Sequence, residues 1–167
     1  LPVSTTTTTT TSSTTTTTSS TTTTTLNGAA TLSLSTSWNL IGNSSSAALN
    51  VATAFGDSGK IASVWQWVAA NAKWAFYSPA MTAQELVVFA AGKSYDVLST
   101  INSGDAFWVN VKTVPFSVQL PAGTAVPASA FTSAGAKPLL QSWNLVSFGA
   151  TKTPGELHAL LAGRTAV

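Results

Sequence analysis

Hydrophobic positions along this chain recur mostly with period two, the spacing that puts alternate side chains on one face of a strand. Leu32 and Leu34 alternate with small polar residues and read as a strand, and Trp38, Leu40 and Gly42 continue the pattern after a turn around Ser35–Ser37. Ala47–Phe55 reads as a helix, with Ser46 as its cap, Ala48, Val51, Ala52 and Phe55 along one face, and Gly56 as its stop. A hairpin signal follows. Ile61–Val68 and Lys73–Tyr77 are rich in aromatic and β-branched residues and flank the short turn Ala69-Ala70-Asn71-Ala72, before Ser78-Pro79 ends the run. Pairing Val68 with Lys73 sets Trp67 opposite Trp74 and Trp65 opposite Phe76, so all four rings share one face.

Thr82-Ala83-Gln84-Glu85 is a capping box that predicts a helix through about Ala91, ending at Gly92. Tyr95–Ile101 is a connecting stretch or short strand, Ser103-Gly104-Asp105 a turn, and Ala106–Lys112 and Phe116–Leu120 two further strands, the second closed by Pro121-Ala122-Gly123. The pattern then restarts. Ser142-Trp143-Asn144-Leu145-Val146 echoes Ser37-Trp38-Asn39-Leu40-Ile41, and Thr153-Pro154-Gly155-Glu156 is a second capping box, with Pro at the first helical position and Gly163 as the stop. This second copy lacks the hairpin and the closing strand, so it is truncated. A strand plus a helix cannot close its own sheet. It must pack on the first copy or accept a strand from another chain.

Trp38-Asn39-Leu40-Ile41-Gly42-Asn43, Val64-Trp65-Gln66-Trp67, Lys73-Trp74-Ala75-Phe76-Tyr77, Tyr95-Asp96-Val97-Leu98 and Phe107-Trp108-Val109-Asn110 occur in that order. Together they resemble a repeated module of bacterial secreted and surface proteins, with a WNL(I/V)G strand, a W-x-W hairpin and a closing (F/Y)WVN strand. The resemblance covers about residues 32–112, with a partial second copy from about 139. It implies a non-enzymatic part of a surface protein and brings no catalytic residues with it. Ser37 stands where the module more usually has Gly before the Trp.

Charge changes the picture further. Lys and Arg number 7 and Asp and Glu 5 in 167 residues, or 7%, against about 25% in ordinary soluble domains. The first charge is Asp57. Seven scattered cations do not make a phosphate-binding surface, so nucleic acid is not an expected partner. With no Cys and one His, thiolate metal sites, disulfides and multi-histidine sites are excluded, and no cofactor or metal is expected. The apolar run Leu86–Ala91 is far too short to span a bilayer. Leu1 reads as a processed end or the start of a fragment, and low charge with abundant Ser, Thr, Ala and Gly suggests an extracellular or cell-surface protein.

Residues 4–25 are Thr and Ser throughout. Such a tract has no apolar stripe and cannot fold alone. It reads as a solvated stalk, as an O-glycosylated stalk, or as an extended arm that pairs with something, since Thr is β-branched. The candidate O-glycosylation positions are Thr5, Thr6, Thr7, Thr8, Thr9, Thr10 and Thr11, then Thr14, Thr15, Thr16, Thr17 and Thr18, then Thr21, Thr22, Thr23, Thr24 and Thr25. Asn43-Ser44-Ser45 is an N-glycosylation sequon at Asn43.

No catalytic constellation emerges. His158 falls inside the last helix with no G-x-S-x-G elbow elsewhere, and Glu85, Glu156 and Asp105 already have roles in caps and a turn. The chain is therefore expected not to be an enzyme. The quartet Trp65, Trp67, Trp74 and Phe76 has two readings: a core face covered by the helices, or a platform for sugar rings. The expected fold is α+β, a mainly antiparallel sheet covered by two or three short helices. An arm, residues 1–25, precedes a globular domain, residues 26–167. The expected function is a structural subunit of an extracellular homopolymeric fibre or surface layer, copies joining head to tail as the arm adds to a neighbour. The alternative is a carbohydrate-binding or adhesive module on a glycosylated stalk.

Overall fold

The computed structural model describes residues 25–26, 30–141 and 143–161. Within them the fold is α+β and dominated by strands. The predicted hairpin forms from β5 (Ile61–Val68) and β6 (Lys73–Tyr77), with Val68 paired to Lys73, Trp67 to Trp74 and Trp65 to Phe76. It is the centre of a five-stranded sheet in the order β3-β9-β5-β6-β7, where β3 is Ser37–Gly42, β9 is Ala106–Val111 and β7 is Asp96–Val97. All neighbours are antiparallel except β6 and β7. Three two-stranded ladders complete the strands: β2 (Thr31–Leu34) with β10 (Phe116–Gln119), β4 (Leu49–Asn50) with β8 (Thr100–Ile101), and β1 (Thr25–Leu26) with β11 (Gly123–Thr124).

The core lies under one face of the five-stranded sheet. Val64, Phe107, Val109 and Val111 meet Val51 and Phe55 of helix α1 (Val51–Phe55), Leu34 and Val118 of β2 and β10, and Leu49 and Ile101 of β4 and β8. Phe55 stands edge-on to Phe107, ring centroids 5.7 Å apart. Helix α1 is shorter than its apolar spacing predicts. Leu49-Asn50 is drawn into pairing with β8, and the cap is Asn50, whose side chain accepts from the Thr53 amide at 2.9 Å, in place of Ser46. Helix α2 (Ala83–Gly92) starts at the Thr82–Glu85 capping box and lies against β6 and β7. Helix α3 (Pro154–Leu160) starts at the Thr153–Glu156 box. Its proposed stop, Gly163, lies outside the described residues, as does the Thr/Ser arm up to Thr24.

The second copy packs on the first. Ala106 donates its amide to the Leu145 carbonyl at 3.2 Å, and the Ser147 amide donates to the Gly104 carbonyl at 2.8 Å. Val146 makes a single antiparallel bridge to Asp105, less than the strand of the first copy. Gly42 is required at this junction, since a Cβ there would sit 2.3 Å from Ser147 Cβ. The two copies share a local device. Asn39 Oδ1 accepts from the Ser35 amide at 3.0 Å and its Nδ2 donates to the Ser35 carbonyl at 2.8 Å; Asn144 makes the same pair with Leu140 at 3.0 and 2.8 Å. In the first copy this clamp encloses Ser37 at φ +74°, a left-handed backbone that favours glycine.

Candidate functional site

Because side chains alternate, the face of the sheet opposite the core is built from the other residue of each strand pair. It carries Trp38 and Leu40 from β3, Trp108 from β9, Trp65 and Trp67 from β5, and Trp74 and Phe76 from β6. Trp65, Trp67 and Trp74 therefore do not face the core, which corrects the first reading for these three, while Phe76 is covered by a helix as that reading expected. Val64, Ala75, Phe107, Val109 and Val111 of these strands occupy the core face, and α1 packs there. Helix α2 reaches the aromatic face, where Phe89 covers Phe76 at a centroid distance of 4.9 Å and leaves it buried. Phe76 thus drops out of any exposed platform, while Trp38 is 52% exposed and Trp143 80%.

Two adjoining clefts open on this face. One, of about 510 Å³, is lined by Trp38, Trp65, Trp74, Tyr95 and Trp108. The other, of about 280 Å³, is lined by Trp67, Trp74, Trp108, Trp143 and Leu145. Between them they use all six tryptophans of the chain. The rings are not coplanar. Trp65 meets Trp74 and Tyr95 at 81°, and Trp67 meets Trp74 at 68°, so they form walls rather than a flat floor. Edge-to-face contact is the arrangement the ring quadrupoles favour. Trp38, Trp108, Tyr95 and Trp143 were not part of the quartet. The signal that could have found Trp108 is its parity, since Trp65, Trp74 and Trp108 alternate with the core-facing Val64, Ala75, Phe107 and Val109; Leu40 shares the parity of Trp38, and Tyr95 and Trp143 lie outside the strands of this sheet.

The polar atoms at the site divide into used and free. Trp65 Nε1 donates to Ser63 Oγ at 2.9 Å, and Trp67 Nε1 donates to the Trp143 carbonyl at 3.0 Å, which ties the second copy to the wall of the cleft. Trp38, Trp74 and Trp108 have no hydrogen-bond partner for Nε1 among the described residues. Among the described residues no charged side chain lines either cleft. The groups with shifted ionisation lie elsewhere. Glu85 and Glu156 are held below the usual carboxylate range by the backbone and hydroxyl hydrogen bonds of their capping boxes, and burial raises Tyr77.

A third cavity, of about 340 Å³, lies where Gln66, Asp105 and Lys137 meet the second copy. Its polar groups are committed to each other. Asp105 accepts from Gln66 Nε2 and from Lys137 Nζ, each at 2.8 Å, and Lys137 also donates to the Ser103 carbonyl. Asp105 is thus both a turn residue and the centre of a small polar network. His158 is exposed on α3, and no three His, Asp or Glu side chains gather among the described residues. None of the described helices is long and apolar enough to cross a membrane.

The N-glycosylation candidate is corrected by its surroundings. Asn43 is fully buried, and its Nδ2 donates to the carbonyls of Ala47, Ile101 and Asn102. The atom that would carry a glycan holds the β3 end to the β8 end from inside. Of the O-glycosylation candidates only Thr25 falls among the described residues, in β1, paired with Thr124.

The two edges of the five-stranded sheet differ. β7 is two residues long and carries Asp96. β3 is six residues long, SWNLIG, with no charge and no proline, and its outer side has no strand partner among the described residues. Comparison with protein-family models, with curated proteins and with solved structures gives no match.

Proposed function

We propose that the protein is a structural, non-enzymatic subunit of an extracellular homopolymer, a fibre or surface layer, in which the Thr/Ser arm of one copy adds as a strand to the next. The observation that carries this is the unguarded edge of β3. Exposed edge strands are ordinarily blunted by Lys, Pro, bulges or shortness, because their free N–H and C=O groups template another strand. β3 has none of these, whereas β7 at the opposite edge has two, its length and Asp96. The donor is in the same chain. Residues 4–25 are uncharged and mostly β-branched Thr, the composition that suits an added strand, and an arm of that length reaches roughly 75 Å when extended. Its root is held on its own domain, where Thr25-Leu26 pairs with Gly123-Thr124. Donation from one copy to a different surface of the next is a head-to-tail contact, which propagates into a filament when the rotation does not close. Glycans on the Thr/Ser hydroxyls would coat the part of the arm left outside the joint.

Electron microscopy and sedimentation of the full chain, with and without residues 1–24, test the reading. The full chain should form polymers and the shortened one should remain monomeric with an unchanged unfolding midpoint. Polymers of the shortened chain would overturn strand donation by the arm. A full chain that stays a monomer at its sequence mass of 17.0 kDa would overturn both polymer and glycan.

A further inference from the structure

We propose that the paired tryptophan clefts are a binding site for a neutral oligosaccharide chain. Their combined geometry and chemistry select that ligand class in three steps. First, the larger cleft, at about 510 Å³, has the size of a small-molecule site. Second, no charged side chain among the described residues lines the clefts, which leaves an ionic ligand without a partner for its charge, so the ligand is neutral. Third, the ligand must be amphipathic. The Nε1 donors of Trp38, Trp74 and Trp108 are unpartnered among the described residues. An apolar protein face laid over them would bury these donors without acceptors, at a cost for each. A pyranose presents C–H patches to the ring faces and hydroxyl oxygens to the indole N–H groups.

The ring angles narrow the class. Walls meeting at 68° and 81° do not match a flat crystalline polysaccharide surface, which needs coplanar rings. They suit a single chain that turns from the first cleft to the second across Trp74 and Trp108, the two rings common to both. Trp143, whose backbone carbonyl accepts the Trp67 N–H, forms the far wall. The second copy therefore completes a site that the first copy leaves open at that end.

The test is calorimetric titration of the full chain with neutral hexasaccharides of glucose and of N-acetylglucosamine, and with a hexuronate of equal length. At least one neutral oligomer should bind with a Kd below about 1 mM, and the hexuronate at least about tenfold more weakly. Trp108→Ala, which removes a wall of both clefts, should weaken binding at least about tenfold, and Trp143→Ala should weaken it less because it touches one cleft only. Trp108 lies in an interior strand, so Trp38→Ala, on the half-exposed edge, is the second variant, with the unfolding midpoint measured for each. Failure of every neutral oligomer to bind would overturn the proposal, as would binding unchanged in both Trp108→Ala and Trp38→Ala. A change in association state of Trp38→Ala with no saccharide binding by the parent chain would also overturn it, in favour of a protein contact. Polymer formation is read separately by sedimentation, so the fate of the strand-donation reading does not decide this one.

Discussion

Ser37 shows how much a single backbone angle can say. The WNL(I/V)G blocks that this chain resembles more usually have Gly at the position before Trp, and here Ser occupies a left-handed conformation, φ +74°. An L-residue in that region costs about 1–2 kcal/mol through the clash of Cβ with the following carbonyl. Glycine avoids the clash but loses about 0.5–1 kcal/mol in backbone entropy. The strain persists because Asn39 clamps the turn through bonds to the Ser35 amide and carbonyl and to the Ser37 carbonyl at 3.1 Å. Ser37→Gly should therefore stabilise the domain by about 0.5–1 kcal/mol, read as a higher urea midpoint with an unchanged slope; a loss of stability would contradict the account. Asn39, the residue after the Trp in the first copy, has the opposite status. Its side chain does the work of two backbone groups, and Asn144 repeats it in a part of the chain that otherwise forms little regular structure.

At the scale of elements, the hairpin was legible because two constraints agree. The turn length sets the register, and the Trp spacing sets a common face, so the Trp67–Trp74 and Trp65–Phe76 pairs follow without knowledge of the rest. Both capping boxes were legible for a similar reason, since Thr and Glu three residues apart satisfy each other locally. Which face of the sheet turns to water was not legible from the hairpin alone. That is decided by what α1, β2 and β10 pack against, and their partners lie tens of residues away in sequence. The boundary of α1 failed for the same reason, because β8 takes Leu49 and Asn50 from it. The alternation of Trp65, Trp74 and Trp108 with Val64, Ala75, Phe107 and Val109 across β5, β6 and β9 was present in the chain and decides the matter when these strands are aligned together. Edge β3 gives the element its own prediction. Leu40→Lys, at a position 52% exposed, should block polymer formation while shifting stability by no more than about 0.5 kcal/mol. Normal polymers of this variant would exclude β3 as the acceptor.

Over the whole molecule, the scarcity of charge is matched by how little of the fold depends on it. Among the described residues there are two ion pairs, Lys137–Asp105 and the long, exposed Lys152–Glu156 at 3.8 Å. Surface pairs of the second kind contribute little. Assembly and folding should accordingly be nearly indifferent to salt. Between about 0.01 M and 1 M NaCl the Debye length falls from about 30 Å to 3 Å, yet the critical concentration for polymer formation should change by less than about twofold. A rise of tenfold or more on adding salt would mean that charge holds the subunits together. The placement of the tryptophans has a different consequence. None of the six is in the core, and all six belong to one face. The protein's ultraviolet emission is thus a lamp mounted on a single wall: it brightens, dims or shifts with whatever comes to rest on that wall, and it is a poor witness to the aliphatic interior behind it.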